Sequence, residues 1–246
     1  AIPTVVIALL LGLVYINVND PSNAPLSQLQ ATSGALYFLI LNQFMGSSMG
    51  ILSIFSKEKV VFLREHKLGY YKLAAYFLSK VLVELPYQVF FPMLLVTISY
   101  YMIGFRPEPQ YFFTLMTIVV LTALNGMAMG TFAASAFKSV EIALVILPFL
   151  LIPMMIFSGL MINNESIPWY FVWIRYIAPT QYAFTAAMKN QFTDLMVYDD
   201  EKIGPDGKKI VLIDGNVYLK NMSMDGGFDL WENVIALGVS YFVLMA

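Results

Sequence analysis

Few side chains in this sequence have the types and spacing that chemistry needs. There is no cysteine and a single histidine, His66. Disulfides, thiol catalysis, zinc–thiolate and iron–sulfur sites are therefore excluded, and a histidine-built metal or proton-relay site lacks ligands. No nucleophile elbow, no intramembrane carboxylate pair and no metal-ligand helix pattern is present. Gly204-Pro205-Asp206-Gly207-Lys208-Lys209 has the wrong glycine spacing for a phosphate loop and lacks the Ser/Thr, so it reads as a turn. What remains is a handful of polar groups in apolar runs. Lys80 and Glu84, spaced i,i+4, can pair, and Lys80 can extend its ammonium towards lipid headgroups. Asn42, Gln43 and Asn125 need partners in an apolar medium, either on a neighbouring helix or on a passing ligand. No residue set here supports catalysis by this chain alone.

The elements that carry these groups follow from composition. The chain has 246 residues, 59% hydrophobic and 12% charged, with a net charge of −2. A soluble domain is about 25% charged, and mean hydropathy here is +0.71. That excludes a disordered chain, and so few charges do not cover a soluble 27.7 kDa body. The charge balance excludes a generally basic nucleic-acid binder, so no nucleic-acid partner is expected. An integral, multi-pass membrane protein remains.

A helix crosses a bilayer with about 20 mostly apolar residues. Uncharged runs at 2–18, 31–55, 85–103, 111–137 and 142–162 predict five spans. The third extends back towards Lys72, and a sixth begins at Asn233 but reaches only fourteen residues. The first and last runs read as cut, so the sequence is expected to be a piece of a longer polypeptide. Lys57, Lys59, Arg64, Lys67, Lys72 and Lys80 cluster between spans two and three, and Lys138 follows span four. The loop after span one has no Lys or Arg. The positive-inside rule therefore places the second and fourth loops in the cytosol and residues 163–231 outside. Two sequons fall in that outer segment, at Asn164 and Asn221, with Asn221 the better placed for glycosylation because Asn164 sits near the membrane.

The outer segment divides in two. Residues 167–188 are apolar and aromatic and are broken by Pro168 and Pro179; a re-entrant or interface-lying helix pair is expected. Residues 193–229 are polar, with turn signals at 204–207 and 214–215 and short strands expected at 209–213 and 217–219, forming a small cap. Gly46-x-x-x-Gly50 and Gly126-x-x-x-Gly130 are close-approach patterns, read either as packing within one bundle or as a dimer seam. Pro86, Pro92, Pro148 and Pro153 predict kinks. In 56–69 the apolar residues 60–63 are bunched rather than periodic. That reads as a solvated loop attracted to anionic lipid, or as a docking face for a cytosolic partner.

Three stretches then share one pattern. Phe62-Leu63-Arg64-Glu65-His66-Lys67-Leu68-Gly69-Tyr70-Tyr71 leads to Glu84-Leu85-Pro86. Met155-Ile156-Phe157-Ser158-Gly159-Leu160 closes span five. Trp173-Ile174-Arg175-Tyr176-Ile177-Ala178-Pro179 precedes Asn190-Gln191-Phe192. In order and spacing this resembles the membrane domain of the G subfamily of ABC half-transporters, the white and multidrug-resistance group. The resemblance implies an all-α integral membrane fold. On that resemblance it would be the six-helix transmembrane domain of a type-2 ABC exporter, its sixth helix truncated, with a small extracytoplasmic α/β cap. The expected divisions are spans one to five in 1–162, with the family's connecting helix at 56–69, the outer loop with re-entrant helices and cap in 163–231, and the start of span six in 232–246.

The resemblance also implies function. The chain would be the membrane part of an ATP-driven exporter of lipids, sterols or amphipathic xenobiotics, working as a homo- or heterodimer with a second half-transporter. ATP and magnesium would bind a nucleotide-binding domain absent from this chain, and the chain itself would need no cofactor or metal. Phe38, Asn42 and Met45 of span two and Leu151, Ile152 and Met155 of span five match the family's central cavity. Leu160 and Met161 match its hydrophobic plug, Met161 departing from the usual leucine. Arg64 and Glu65 match the pair that couples to the ATP-binding domain. The membrane of residence would be the plasma membrane or that of an intracellular organelle. The competing readings are an ATP-independent channel or carrier, which more often shows buried mid-membrane charge or inverted repeats, and a membrane subunit that assembles partners without moving substrate.

Overall fold

A computed structural model describes residues 2–16, 18, 25–68, 72–137, 139–162, 167–203, 209–224 and 227–245. Asn164, Lys138, the 69–71 end of the Phe62–Tyr71 motif and the turn at 204–208 lie outside the described residues.

Nine helices and one strand pair are found among these residues: α1 (Ile2–Val14), α2 (Pro25–Lys67), α3 (Leu73–Ile103), α4 (Pro109–Ala136), α5 (Val140–Ile156), α6 (Val172–Ile177), α7 (Pro179–Phe192), β1 (Met196–Ile203), β2 (Lys209–Asp214), α8 (Gly215–Asn221) and α9 (Leu230–Met245). Three of them, α2, α3 and α4, are long and apolar enough to cross a membrane, while α1, α5 and α9 are apolar but shorter. The elements expected as spans two, three and four are therefore present at full length. The terminal elements and the fifth are helical over 13, 16 and 17 residues.

Helix α2 runs unbroken for 43 residues, about 65 Å at 1.5 Å per residue and so about twice the hydrocarbon thickness. No Gly or Pro interrupts 51–68, and the helix therefore continues through the charged segment. This corrects the reading of 56–69 as a loop: bunching of residues 60–63 weakens an amphipathic stripe but does not break a helix. Phe62 is buried and stacks on Tyr76 of α3 at 4.2 Å between ring centroids. Pro86 and Pro92 lie inside α3, and Pro148 and Pro153 inside α5, without ending either helix.

Contact between α2 and α4 is the most extensive in the bundle. A Cβ on Gly126 would meet the backbone carbonyl of Phe44, and one on Gly130 would meet the Ser48 carbonyl and the Ile51 side chain. In lipid, apolar surface gains nothing by leaving solvent, so close backbone approach is what binds such helices. The 126/130 pair thus packs within this bundle. Gly46 and Gly50 face open space instead. Asn125 is buried between α4 and α9: its Nδ2 donates to the carbonyls of Leu121 and Leu237, and its Oδ1 accepts from Ser240.

The expected helix pair at 167–188 resolves into two unlike pieces. Residues 169–177 carry exposed Trp169, Tyr170, Trp173 and Tyr176, as an interface-lying segment should. Helix α7 begins at Pro179, which is pre-set for the first helical turn. It is buried along almost its whole length against α2, α4 and α9. An interface-lying second helix is thereby corrected to a core helix. Its polar side chains have neighbours to bond: Thr180 donates to the Met154 carbonyl, Lys189 to Phe228 and Asn190 to Tyr111.

In the polar segment, β1 and β2 pair antiparallel, from Met196 opposite Asp214 to Ile203 opposite Lys209. The strand expected at 209–213 falls within β2. The strand expected at 217–219 is instead the middle of α8. Asp214 caps that helix by accepting from the Asn216 N–H at 2.8 Å, and Tyr218 and Leu219 are buried. The Tyr218 hydroxyl lies 3.2 Å from Ser33, which ties α8 to α2, and burial holds the Tyr218 phenol above its ordinary pKa.

Candidate functional site

The residues matched to a cavity lie on α2 and α5, which pack together. Tyr37 fixes their relative height. Its hydroxyl donates to the Met155 carbonyl at 2.9 Å and its ring meets Phe184 of α7 edge-on. Next to Tyr37, Phe38 is 49% exposed; on α5, Ile152 is 46% exposed. These side chains stand on open apolar surface of this chain. Leu151 is fully buried in a cluster with Phe44, Leu147 and Met154, against which Met45 packs partly buried. Met155 and Leu160 are partly buried against the other core cluster, and Met161 is 66% exposed. The structure thus brings Phe38 and Ile152 to the surface and sets Leu151 behind it as support.

Asn42 opens on a different space. A groove of about 490 Å³ runs between α1, α2 and α3, lined by Asn42, Gln43, Ser47, Glu84 and Gln88, with Gly46 and Gly50 on its α2 wall. Gln43 donates to Ser47, and Ser47 donates to Gln88 at 2.9 Å. Gln43, Ser47 and Gln88 therefore tie α2 to α3, as the pairing of polar groups in an apolar medium requires.

At the lysine-rich end, α2 is pinned to both neighbours. Lys80 lies 2.9 Å from Glu84, the expected pair, and 2.7 Å from Glu58 of α2. Lys59 donates to the carbonyls of Ala134, Ser135 and Phe137 and so caps the end of α4. Arg64 is exposed in the last turns of α2, with Glu65 beside it partly buried. Glu58, Lys59, Tyr37 and Gln88 escaped sequence reasoning, because each acts across 22 to 118 residues of chain. Among the described residues no group of His, Cys, Asp and Glu could hold a metal ion.

Residues 1–192 match the family described as ABC-2 type transporter. The chain is 31% identical to Protein white of Ceratitis capitata over 194 residues, covering 78% of this chain and 28% of that protein. It is 27% identical to the Broad substrate specificity ATP-binding cassette transporter ABCG2 of Mus musculus over 249 residues, 99% of this chain and 37% of that protein. It is 29% identical to ABC transporter G family member 1 of Dictyostelium discoideum, over 92% of this chain and 28% of that protein. The chain thus spans roughly a third of the length of these relatives.

Proposed function

The chain belongs to the ABC-2 type transporter family as a G-subfamily membrane domain, and on that premise we propose that it is the membrane half of an ATP-driven exporter of lipids, sterols or other amphipathic compounds. The observation that carries this is the open apolar surface of α2 and α5. Phe38 and Ile152 are exposed there, on helices locked in register by Tyr37 and Met155. Two such surfaces facing each other would enclose a cavity lined by Phe38, Met45, Ile152 and Met155, with Leu151 supporting it, while Asn42 would be reached through the neighbouring groove between α1, α2 and α3. Aromatic and methionine side chains bind amphipathic molecules by burial and adaptable packing. Leu160 and Met161, beyond α5, would close the path towards the exit.

In this reading α1, α5 and α9 complete a six-span bundle and the lysine-rich end faces the cytosol. ATP and magnesium belong to a nucleotide-binding domain that meets α2 at Arg64 and Glu65. Closure of that domain would move the rigid end of α2. Glu58 and Lys59 would carry the motion to α3 and α4. Export requires that substrate affinity differ between the two states. A dimer, homo or hetero, follows from the half-cavity. The β1–β2 hairpin and α8 would form a cap outside the membrane.

The test is cross-linking in native membranes. Phe38→Cys and Ile152→Cys, in full-length protein freed of other cysteines, should form disulfides between subunits. Cys substitutions at Phe113 or Phe132, on the exposed side of α4, should not. Cross-linking from α4 but not from α2 or α5 would overturn the cavity assignment.

A further inference from the structure

The groove between α1, α2 and α3 is a second site, since neither Phe38 nor Ile152 lines it. Its α2 wall, from Asn42 to Ile54, covers about 18 Å at 1.5 Å per residue. A Cβ on Gly46 or Gly50 meets nothing within 4 Å, so this wall leaves room for a slender body. Ile7, Ile51, Phe91 and Leu95 supply apolar and aromatic lining. Among the described lining residues Glu84 alone is charged.

Three partly exposed side chains on this lining keep hydrogen-bonding capacity that the protein does not use. Asn42 makes no side-chain hydrogen bond among the described residues. Gln88 accepts from Ser47 through Oε1 and leaves its amide nitrogen unbonded. Glu84 gives one carboxylate oxygen to Lys80, and its other oxygen has no partner, with 12% of the side chain exposed. Lys80 is itself shared with Glu58, so two carboxylates stand on one ammonium and the triad is net negative. Both α2 and α3 are membrane-length helices. An ionised side chain on such a helix is costly unless paired and marks a ligand path.

We propose that this groove binds one lipophilic amine, a cationic amphiphile with a single chain. The ammonium sits on the unbonded oxygen of Glu84, and the chain lies along Gly50 and Gly46 towards Phe91 and Leu95. An ammonium carries donors alone and so matches a carboxylate oxygen, in a charge-assisted bond stronger than a neutral one. A carboxylate or phosphate head would meet Glu84 with no free cation to receive it. A hydroxyl head would form a hydrogen bond there without the charge, and is therefore held more weakly. The aromatic faces of Tyr87 and Phe91, both on the lining, favour a cation or a packed chain over a second anion. The site does not depend on the transport cavity.

The test uses the full-length protein in phosphatidylcholine nanodiscs, titrated with radiolabelled dodecylamine, with empty nanodiscs subtracted for partitioning. Binding should saturate at one dodecylamine per subunit. Unlabelled dodecanol should compete at least about tenfold more weakly than unlabelled dodecylamine, and dodecanoate more weakly still. Glu84→Gln, which keeps the shape of the side chain and leaves Lys80 on Glu58, should weaken binding about tenfold, as expected for loss of a charge-assisted contact. Gly50→Leu, at an exposed glycine with open space beside it, fills the groove without touching Glu84 and should weaken binding comparably. Phe38→Ala should leave it unchanged. Equal competition by dodecanol or dodecanoate would overturn the ammonium assignment. Loss of binding in Phe38→Ala would move the ligand to the transport cavity and overturn the groove. Absence of saturable binding, or wild-type affinity in both Glu84→Gln and Gly50→Leu, would overturn the site.

Discussion

The ammonium of Lys80 lies 2.7 Å from the carboxylate of Glu58, joining α3 to the part of α2 that extends beyond membrane thickness. With Glu84 it forms a triad in which Lys80 and Glu84 are nearly buried, at 10% and 12% side-chain exposure, and Glu58 is 44% exposed. Removing the central cation leaves a shielded carboxylate without its partner. Lys80→Met is therefore expected to cost on the order of 3 kcal/mol. Glu58→Gln, at a solvated partner, should cost about 1 kcal/mol or less. Thermal unfolding of the two variants in detergent checks the ranking. Equal effects would show that Glu58, not Glu84, dominates the triad.

Lys59 supplies the donor for three carbonyls at the end of α4. Lys59→Met should destabilise by about 1–3 kcal/mol, because those acceptors lose a charge-assisted partner. Its distinctive signature is local. Amide exchange should quicken across 130–137 while α3 keeps its protection. Uniform loss of protection would point to global destabilisation instead.

The two glycine pairs should behave in opposite ways. A side chain at Gly130 meets the α2 backbone, so Gly130→Val should cost at least the ~1–3 kcal/mol typical of overpacking and lower the yield of folded protein. Gly46→Ala and Gly50→Ala meet nothing within 4 Å and should leave folding intact. Size-exclusion profiles of the three variants separate these outcomes. Misfolding of Gly46→Ala would show that its open face is an interface between subunits.

Asn221 is exposed at the end of α8, with Ser223 two residues on. A glycan there would place α8 and the strand pair outside the cell. Full-length protein from mammalian cells should lose mobility-shifting mass on glycosidase treatment, and Asn221→Gln should abolish the shift. Persistence of the whole shift in Asn221→Gln would move the glycan to another sequon.

The sequence carries the bundle's long elements because length and hydropathy alone identify α2, α3 and α4. It carries the Lys80–Glu84 pair because that spacing is local. It does not carry Glu58, whose proximity to Lys80 exists only once α2 is continuous and packed beside α3. The burial of α7 was equally hidden: Thr180, Lys189 and Asn190 suit a re-entrant or interface-lying helix until carbonyls on α4, α5 and the 228 loop are placed around them. Residues 217–219 look like a strand by composition, yet the capping Asp214, three residues before Val217, makes them helical. Among the cavity residues, periodicity did not separate exposed Ile152 from buried Leu151, which are adjacent in sequence and opposite in environment.

The central claim is that this chain moves amphipathic molecules at the expense of ATP through a cavity on α2 and α5. The most direct measurement is uptake into vesicles reconstituted with full-length protein, with sterols, phospholipids and amphipathic drugs as substrates, for wild type, Phe38→Ala, Asn42→Ala and Leu160→Ala. The account predicts substrate movement that requires ATP, with substrate-stimulated hydrolysis, and a fall of about tenfold or more in Phe38→Ala, about the effect of losing one well-buried aromatic contact. Substrate flux through wild type without ATP would contradict it and identify a channel or carrier.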